Sequence, residues 1–243
     1  VVDRHDYENP VFEGSWGVSD EDLYALAHEK LSSRGDQPFF SLIFTTSHHE
    51  PFEYPPGRVT DSEYGPRESS IKYADYALGQ FLEQARNSDY WENTVFMIVA
   101  DHNAKTFGEK YVPVRKFRIP GAIIGPTIEP RRISGISSQI DIVTTLLSLI
   151  GVDSVHPAIG RDLTRPEYFN GAGRAQMQFH YNQAWIEEGR AVIFRPDLEP
   201  VSLRLGDNDQ LLEDQNPDPD VLRRALAHAL WGPLMIRMQA YRL

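Results

Sequence analysis

Cysteine is absent from all 243 residues. Its absence removes disulfide frameworks, thiolate nucleophiles and zinc–thiolate centres together, and it fits cytoplasm and periplasm equally. Basic residues are outnumbered: 24 Lys and Arg face 35 Asp and Glu, a net charge of −11. With no basic run to neutralise phosphates, a nucleic-acid binder is excluded, and the charge reads as solubility. No apolar run approaches the roughly 18–20 residues that cross a bilayer. The opening Val1-Val2-Asp3-Arg4-His5 carries neither an initiator Met nor signal-peptide character, so the expectation is a piece of something longer.

What is present suffices for a folded core, since 41% of the residues are hydrophobic. Ser19, with Asp22 three residues on, predicts a helix start; Leu23, Leu26, Ala27 and Leu31 form its stripe and Gly35 ends it. The continuous apolar run 39–46 predicts a strand buried on both faces, as in a parallel sheet. A second helix is expected over 69–86, from Ile71, Ala74, Leu78, Phe81 and Leu82. Residues 94–100 read as another fully buried strand, 121–124 as a shorter one, and 138–150 as a helix capped by Gly151. This order predicts an α/β fold, a layered and mostly parallel sheet with flanking helices. Beyond about residue 172, short segments near 176–186, 189–195 and 200–205 predict an antiparallel meander, followed by a terminal helix from Asp218. The expected domains are 1–171 and 172–243. Trp231 and Leu234 stand at helical spacing, which predicts core packing.

Ligands in open α/β sheets bind beyond the carboxyl ends of strands. Two predicted strands end in groups suited to chemistry: Ser47-His48-His49 and Asp101-His102-Asn103. A carboxylate and an imidazole leaving a strand together offer a hard oxygen and a borderline nitrogen, a mix suited to manganese or zinc more than magnesium or calcium. The bland alternative is a turn in which Asp101 caps a backbone amide and His102 is solvated. For His48 and His49 it is an exposed loop, and for Thr45 and Thr46 simple β-propensity.

The stretch 94–102 resembles the last metal-binding strand of sulfatases in the alkaline phosphatase superfamily, and 138–151 resembles the helix that follows it. Gly160-Arg161-Asp162-Leu163 resembles the next marker. Ser47-His48-His49-Glu50-Pro51-Phe52 is similar to the Asn-His-x-Pro-Phe loop of lipoteichoic acid synthases, and Trp16-Gly17-Val18-Ser19-Asp20 to another segment of those phosphoglycerol transferases. The resemblance spans most of 14–165 in the family's order.

The resemblance implies one divalent cation, manganese first, with Asp101 and His102 as two of its ligands. It implies a catalytic and substrate-binding role for His49, hydrogen-bonding or protonating an oxygen of the ester. His48 stands where the family has Asn; it either alters head-group preference or points to solvent. Asn103 stands where relatives have Gly or Tyr, which puts the local turn in question. The family's upstream carboxylate and its Thr or Ser nucleophile have no match in this sequence. The implied substrate is an anionic phosphate or sulfate ester, on the outer face of the cell membrane or in the periplasm, with a membrane-anchored parent. The chain by itself is expected to be inactive, to bind metal weakly and to self-associate. The alternative is a non-catalytic binding domain that keeps the fold. Asp141 is expected to hydrogen-bond backbone, Asp75 to lie at the surface, and His180 and Tyr181 to sit at the start of the meander.

Overall fold

Tyr73, Ala77, Phe81 and Ala85, four residues apart, fall on one line of a helix, and all four are buried. They are the inner face of α2 (Pro66–Arg86), which starts earlier than the apolar spacing predicts. Pro66 sits at its first position, and Gly65 before it takes a φ of 108°, open to glycine. Helix α1 (Asp20–Ser32) packs beside it, Tyr24 stacking on Phe81 at 4.8 Å between ring centroids. Ser19 caps α1 by accepting from the Asp22 amide. The Asp22 carboxylate reaches further back, accepting from the amides of Val11 and Phe12 at 2.8 and 3.2 Å. That fastens the short hairpin β1 (Glu13–Gly14) and β2 (Gly17–Val18) onto the helix start.

The computed structural model describes residues 1–103, 111–170 and 173–241. They form two compact units, one of Val1–Thr94 with Gly125–Thr127 and one of Val95–Ile124 with Ile128–Leu243. The predicted boundary at 171/172 lies inside the second unit, and residues 171 and 172 are outside the described residues.

The second unit holds β3 (Phe96–Val99), β4 (Gly121–Ile124), α3 (Asp141–Leu149) and a five-stranded sheet. The sheet is β5 (Arg174–Phe179), β6 (Asn182–Glu187), β7 (Arg190–Arg195), β8 (Leu198–Leu205) and β9 (Leu211–Glu213), paired in sequence order and antiparallel throughout, the meander that the turn spacing predicts. Its central strands are buried on both sides. Ala184, Ile186, Ala191 and Ile193 pack with Val112 and Val114, while Trp185 and Val192 on the other face pack with Val221 and Ala225 of α4 (Pro219–Arg237). Alternation along β6 and β7 sends successive side chains to opposite cores.

Three expectations need correction. Residues 39–46 form no strand: Phe40, Leu42 and Phe44 are 85%, 81% and 65% exposed, and no ladder partner lies beside them among the described residues. An apolar run becomes a buried strand only where neighbouring backbone satisfies its amides and carbonyls. The 94–100 run contains β3, but its one partner among the described residues is β4, antiparallel, and Val99 is 40% exposed. Every ladder among the described residues is antiparallel. Leu234 is also surface, 44% exposed, whereas Trp231 is partly buried and donates its Nε1–H to the Pro157 carbonyl at 2.8 Å.

Candidate functional site

Strand β3 delivers Ala100, Asp101 and His102 to a turn held from outside. The side-chain amide of Gln139 donates to the carbonyls of Ala100 and Asp101 at 3.1 and 2.7 Å. Oδ1 of Asp101 accepts from the His102 amide at 2.7 Å, and the His102 Nδ1 lies 3.0 Å from the Asn103 carbonyl. A carbonyl only accepts, so Nδ1 carries the proton, and the sp² lone pair of a neutral ring sits on Nε2. That Nε2 lies 3.3 Å from Oδ2 of Asp101, both side chains open to solvent. Two acceptors facing each other across that gap can share a cation. Neighbouring donors of a tetrahedral shell with ~2.1 Å bonds stand roughly 3.4 Å apart, so the pair fits one edge of such a shell. No third His, Asp or Glu joins them among the described residues.

In the other unit, His48 and His49 sit on a loop fixed by a carboxylate. Asp20, 1% exposed at the start of α1, accepts on Oδ1 from the amides of Thr46 and Ser47, both at 3.1 Å, and its own amide donates to the Ser47 Oγ. His49 is exposed, with Nδ1 2.8 Å from the Glu50 carbonyl, which leaves Nε2 to face outward. The Trp16 ring lies 3.9 Å from the His49 ring, and its Nε1–H donates to the Glu50 carbonyl at 2.9 Å. Both rings line a narrow crevice of about 10 Å³, room for about one water molecule, with Ser15, Thr46, Ser47 and Glu53. Glu53 accepts from the Ser15 amide at 2.7 Å, a bond that holds its carboxyl pKa below the ordinary value. His48 turns the other way, half-buried, with Nδ1 2.9 Å from Ser70 Oγ. Burial lowers its pKa, nearby Arg67 lowers it further, and Asp20 and Glu68 oppose them.

Trp16, Asp20 and Gln139 are the residues that the sequence reading left without a role. All three stand inside stretches that resemble the family, so the signal was present, but only contacts separate the ring partner, the loop anchor and the turn clamp from their neighbours. Asp141 bonds the Ser138 and Arg161 amides at 2.9 and 2.8 Å, in line with the backbone role expected of it.

The sulfatase family profile matches residues 2–152. The chain belongs to the sulfatase family. This sulfatase chain is 27% identical over 164 residues to the lipoteichoic acid synthase-like protein YvgJ of Bacillus subtilis, covering 58% of the chain and 26% of that protein. It is 29% identical over 177 residues to phosphoglycerol transferase I of Xanthomonas euvesicatoria, covering 67% of the chain and 25% of that protein. Its fold matches that of an alkaline phosphatase superfamily protein from Vibrio parahaemolyticus with a TM-score of 0.90 and 43% identity, over 100% of this chain and 60% of that one. The sulfatase chain thus has the α/β fold of that superfamily and spans about a quarter of these curated relatives.

Proposed function

We propose that the chain is the C-terminal portion of a metal-dependent sulfatase-family hydrolase or phosphoglycerol transferase that acts on phosphodiester or sulfate esters of the cell envelope, outside the cytoplasm. The observation that carries this reading is the Asp101–His102 pair, with Oδ2 and Nε2 3.3 Å apart and both side chains more than half exposed. Asp101 and His102 would hold one divalent cation, manganese before zinc, magnesium or calcium. When bound, that cation supplies charge stabilisation to an ester oxygen and lowers the pKa of an attacking hydroxyl. Gln139 keeps the backbone of the pair in place. His49, backed by Trp16, presents Nε2 to a non-bridging or leaving oxygen of the substrate. His48, anchored on Ser70, contributes to the same head-group site through the loop it shares with His49.

The nucleophile and the remaining metal ligand have no match within residues 1–243, and the proposal assigns them to a part of the family domain outside this sequence. The same part would add parallel strands beside 39–46, with 1–171 as the catalytic layer and 172–243 as an accessory subdomain. Two protein ligands leave half of a four-coordinate shell to water, so binding by this chain alone is weak and turnover is absent.

The test is a manganese titration followed by calorimetry and by the spin resonance of the free ion. The native chain should take up one weakly held ion, and Asp101→Ala should lose it with native circular dichroism intact. Uptake unchanged by Asp101→Ala would remove the assignment. A second reading, a non-catalytic binding domain with the same fold, draws on the lack of a third metal-ligating side chain among the described residues. Phosphodiester turnover recovered on joining the missing family segment excludes it.

A further inference from the structure

Gln139, which clamps the Asp101–His102 turn, stands just before α3. At the other end of that nine-residue helix, ~13 Å along its axis, opens a cavity of about 600 Å³. That is the size of a small-molecule site, about 300–1,000 Å³, and its lining belongs wholly to the second unit. Its walls are fastened to each other. Thr144 Oγ1 donates to the Arg161 carbonyl at 2.8 Å, and Leu163 donates its amide to Thr145 Oγ1 at 3.0 Å. The Arg161 guanidinium, paired with Asp141, lies 5.1 Å from the centre of the Tyr168 ring, which lines the cavity. Walls held in this way need little ordering when a ligand enters. The polar side mixes acceptors and donors. Asp162 Oδ1 is filled by the Thr164 amide and hydroxyl at 3.0 and 2.7 Å. Oδ2 faces Arg165 Nε at 3.5 Å, beyond the roughly 2.7–2.9 Å of a charge-assisted hydrogen bond, so both groups keep capacity for a further partner. Leu147, Val152 and the Tyr168 ring supply the apolar part.

We propose that this cavity binds a short neutral saccharide. Asp141 neutralises Arg161, which leaves the carboxylates of Asp153 and Asp162 against the single guanidinium of Arg165 around the cavity. The negative surplus opposes an anionic ligand, and Arg165 opposes a cation. A purely apolar ligand would take water from Asp162 and Arg165 and replace none of its hydrogen bonds. A hydroxyl both donates and accepts. Neighbouring hydroxyls of one sugar ring can therefore give a hydrogen to Asp162 Oδ2 and take one from Arg165, while the C–H face of the ring lies on Tyr168 or Leu147. The cavity stands apart from the Asp101–His102 pair, and the proposal does not rest on the cation reading.

The experiment is a saturation-transfer NMR titration of the full chain with maltotriose, laminaritriose and mannotriose, neutral trisaccharides that differ in linkage or hydroxyl configuration. Trigalacturonate serves as their anionic counterpart. At least one neutral trisaccharide should receive saturation, and trigalacturonate should bind more weakly. Asp162→Asn keeps an acceptor for Thr164 but removes the charge, and it should weaken binding about tenfold, the worth of one hydrogen bond to a charged group. The Arg165 side chain is 64% exposed, so Arg165→Gln should weaken binding to a similar degree with native circular dichroism, and it replaces Asp162→Asn where that variant fails to fold. Absence of transfer to all three neutral trisaccharides, unchanged affinity in Arg165→Gln, or trigalacturonate binding at least as tightly as they do would overturn the proposal, the last in favour of an anion site.

Discussion

At the scale of single residues, His48 shows how a substitution inside a familiar motif acquires its own physics. Ser70 Oγ donates to the Arg67 carbonyl at 2.7 Å and so accepts from the His48 Nδ1–H. Burial and Arg67 then hold the ring below the ordinary histidine pKa of about 6.5. The folded chain therefore takes up this proton later than the unfolded chain. Above pH ~6.5 both states are neutral at His48 and its contribution is constant. As pH falls below that value the unfolded state gains the proton first, and stability declines toward the lowered folded pKa. His228, lowered chiefly by burial beside Trp185, works in the same direction. Urea midpoints at pH 7.5 and 5.5 should show a smaller acid-side loss in His48→Gln than in the native chain, and a smaller one again when His228→Gln is added. An equal loss in all three would show that neither ring titrates differently on folding. Sequence alone left His48 between head group and solvent, because the partner that settles its direction, Ser70, lies 22 residues away on another element.

Among the elements, α3 and the loop after it show why a short sequence marker is informative. A Cβ on Gly160 would fall 1.9 Å from the Ile140 carbonyl oxygen, which is backbone and has little room to move. Arg161 then enters beside α3, its guanidinium donating to Oδ2 of the fully buried Asp141 at 2.9 Å and to the carbonyls of Ile136 and Arg174. Leu163 donates its amide to Thr145 Oγ1 at 3.0 Å. The marker is thus a clasp between α3 and β5. Gly160→Ala should destabilise the chain by at least about 3 kcal/mol in urea unfolding, the upper range for forced overpacking. Asp141→Ala should cost ~3–5 kcal/mol, since it leaves the Arg161 charge buried without its partner. A loss below about 1 kcal/mol in either variant would mean that the loop relaxes away from α3. Periodicity made the meander legible, since β6 and β7 combine apolar residues with closely spaced turns. It failed over 39–46, where the same apolar signal carries no information about which strand is to pair with it.

For the whole molecule, an exposed apolar segment and a shared net charge act on self-association in opposite directions. Phe40, Leu42 and Phe44 lie 85%, 81% and 65% exposed along one extended segment, a surface that self-associates unless something opposes contact. What opposes it is the net charge of −11, which copies of the chain share and which repels them at low ionic strength. Added salt shortens the Debye length from about 30 Å at 0.01 M to about 8 Å at 0.15 M, removing the repulsion while leaving the apolar attraction intact. Self-association in light scattering should therefore rise with sodium chloride and fall sharply in the Phe40→Ser/Leu42→Ser/Phe44→Ser variant. If scattering falls with salt, charge attraction between copies governs the contact and the 39–46 segment is not its seat.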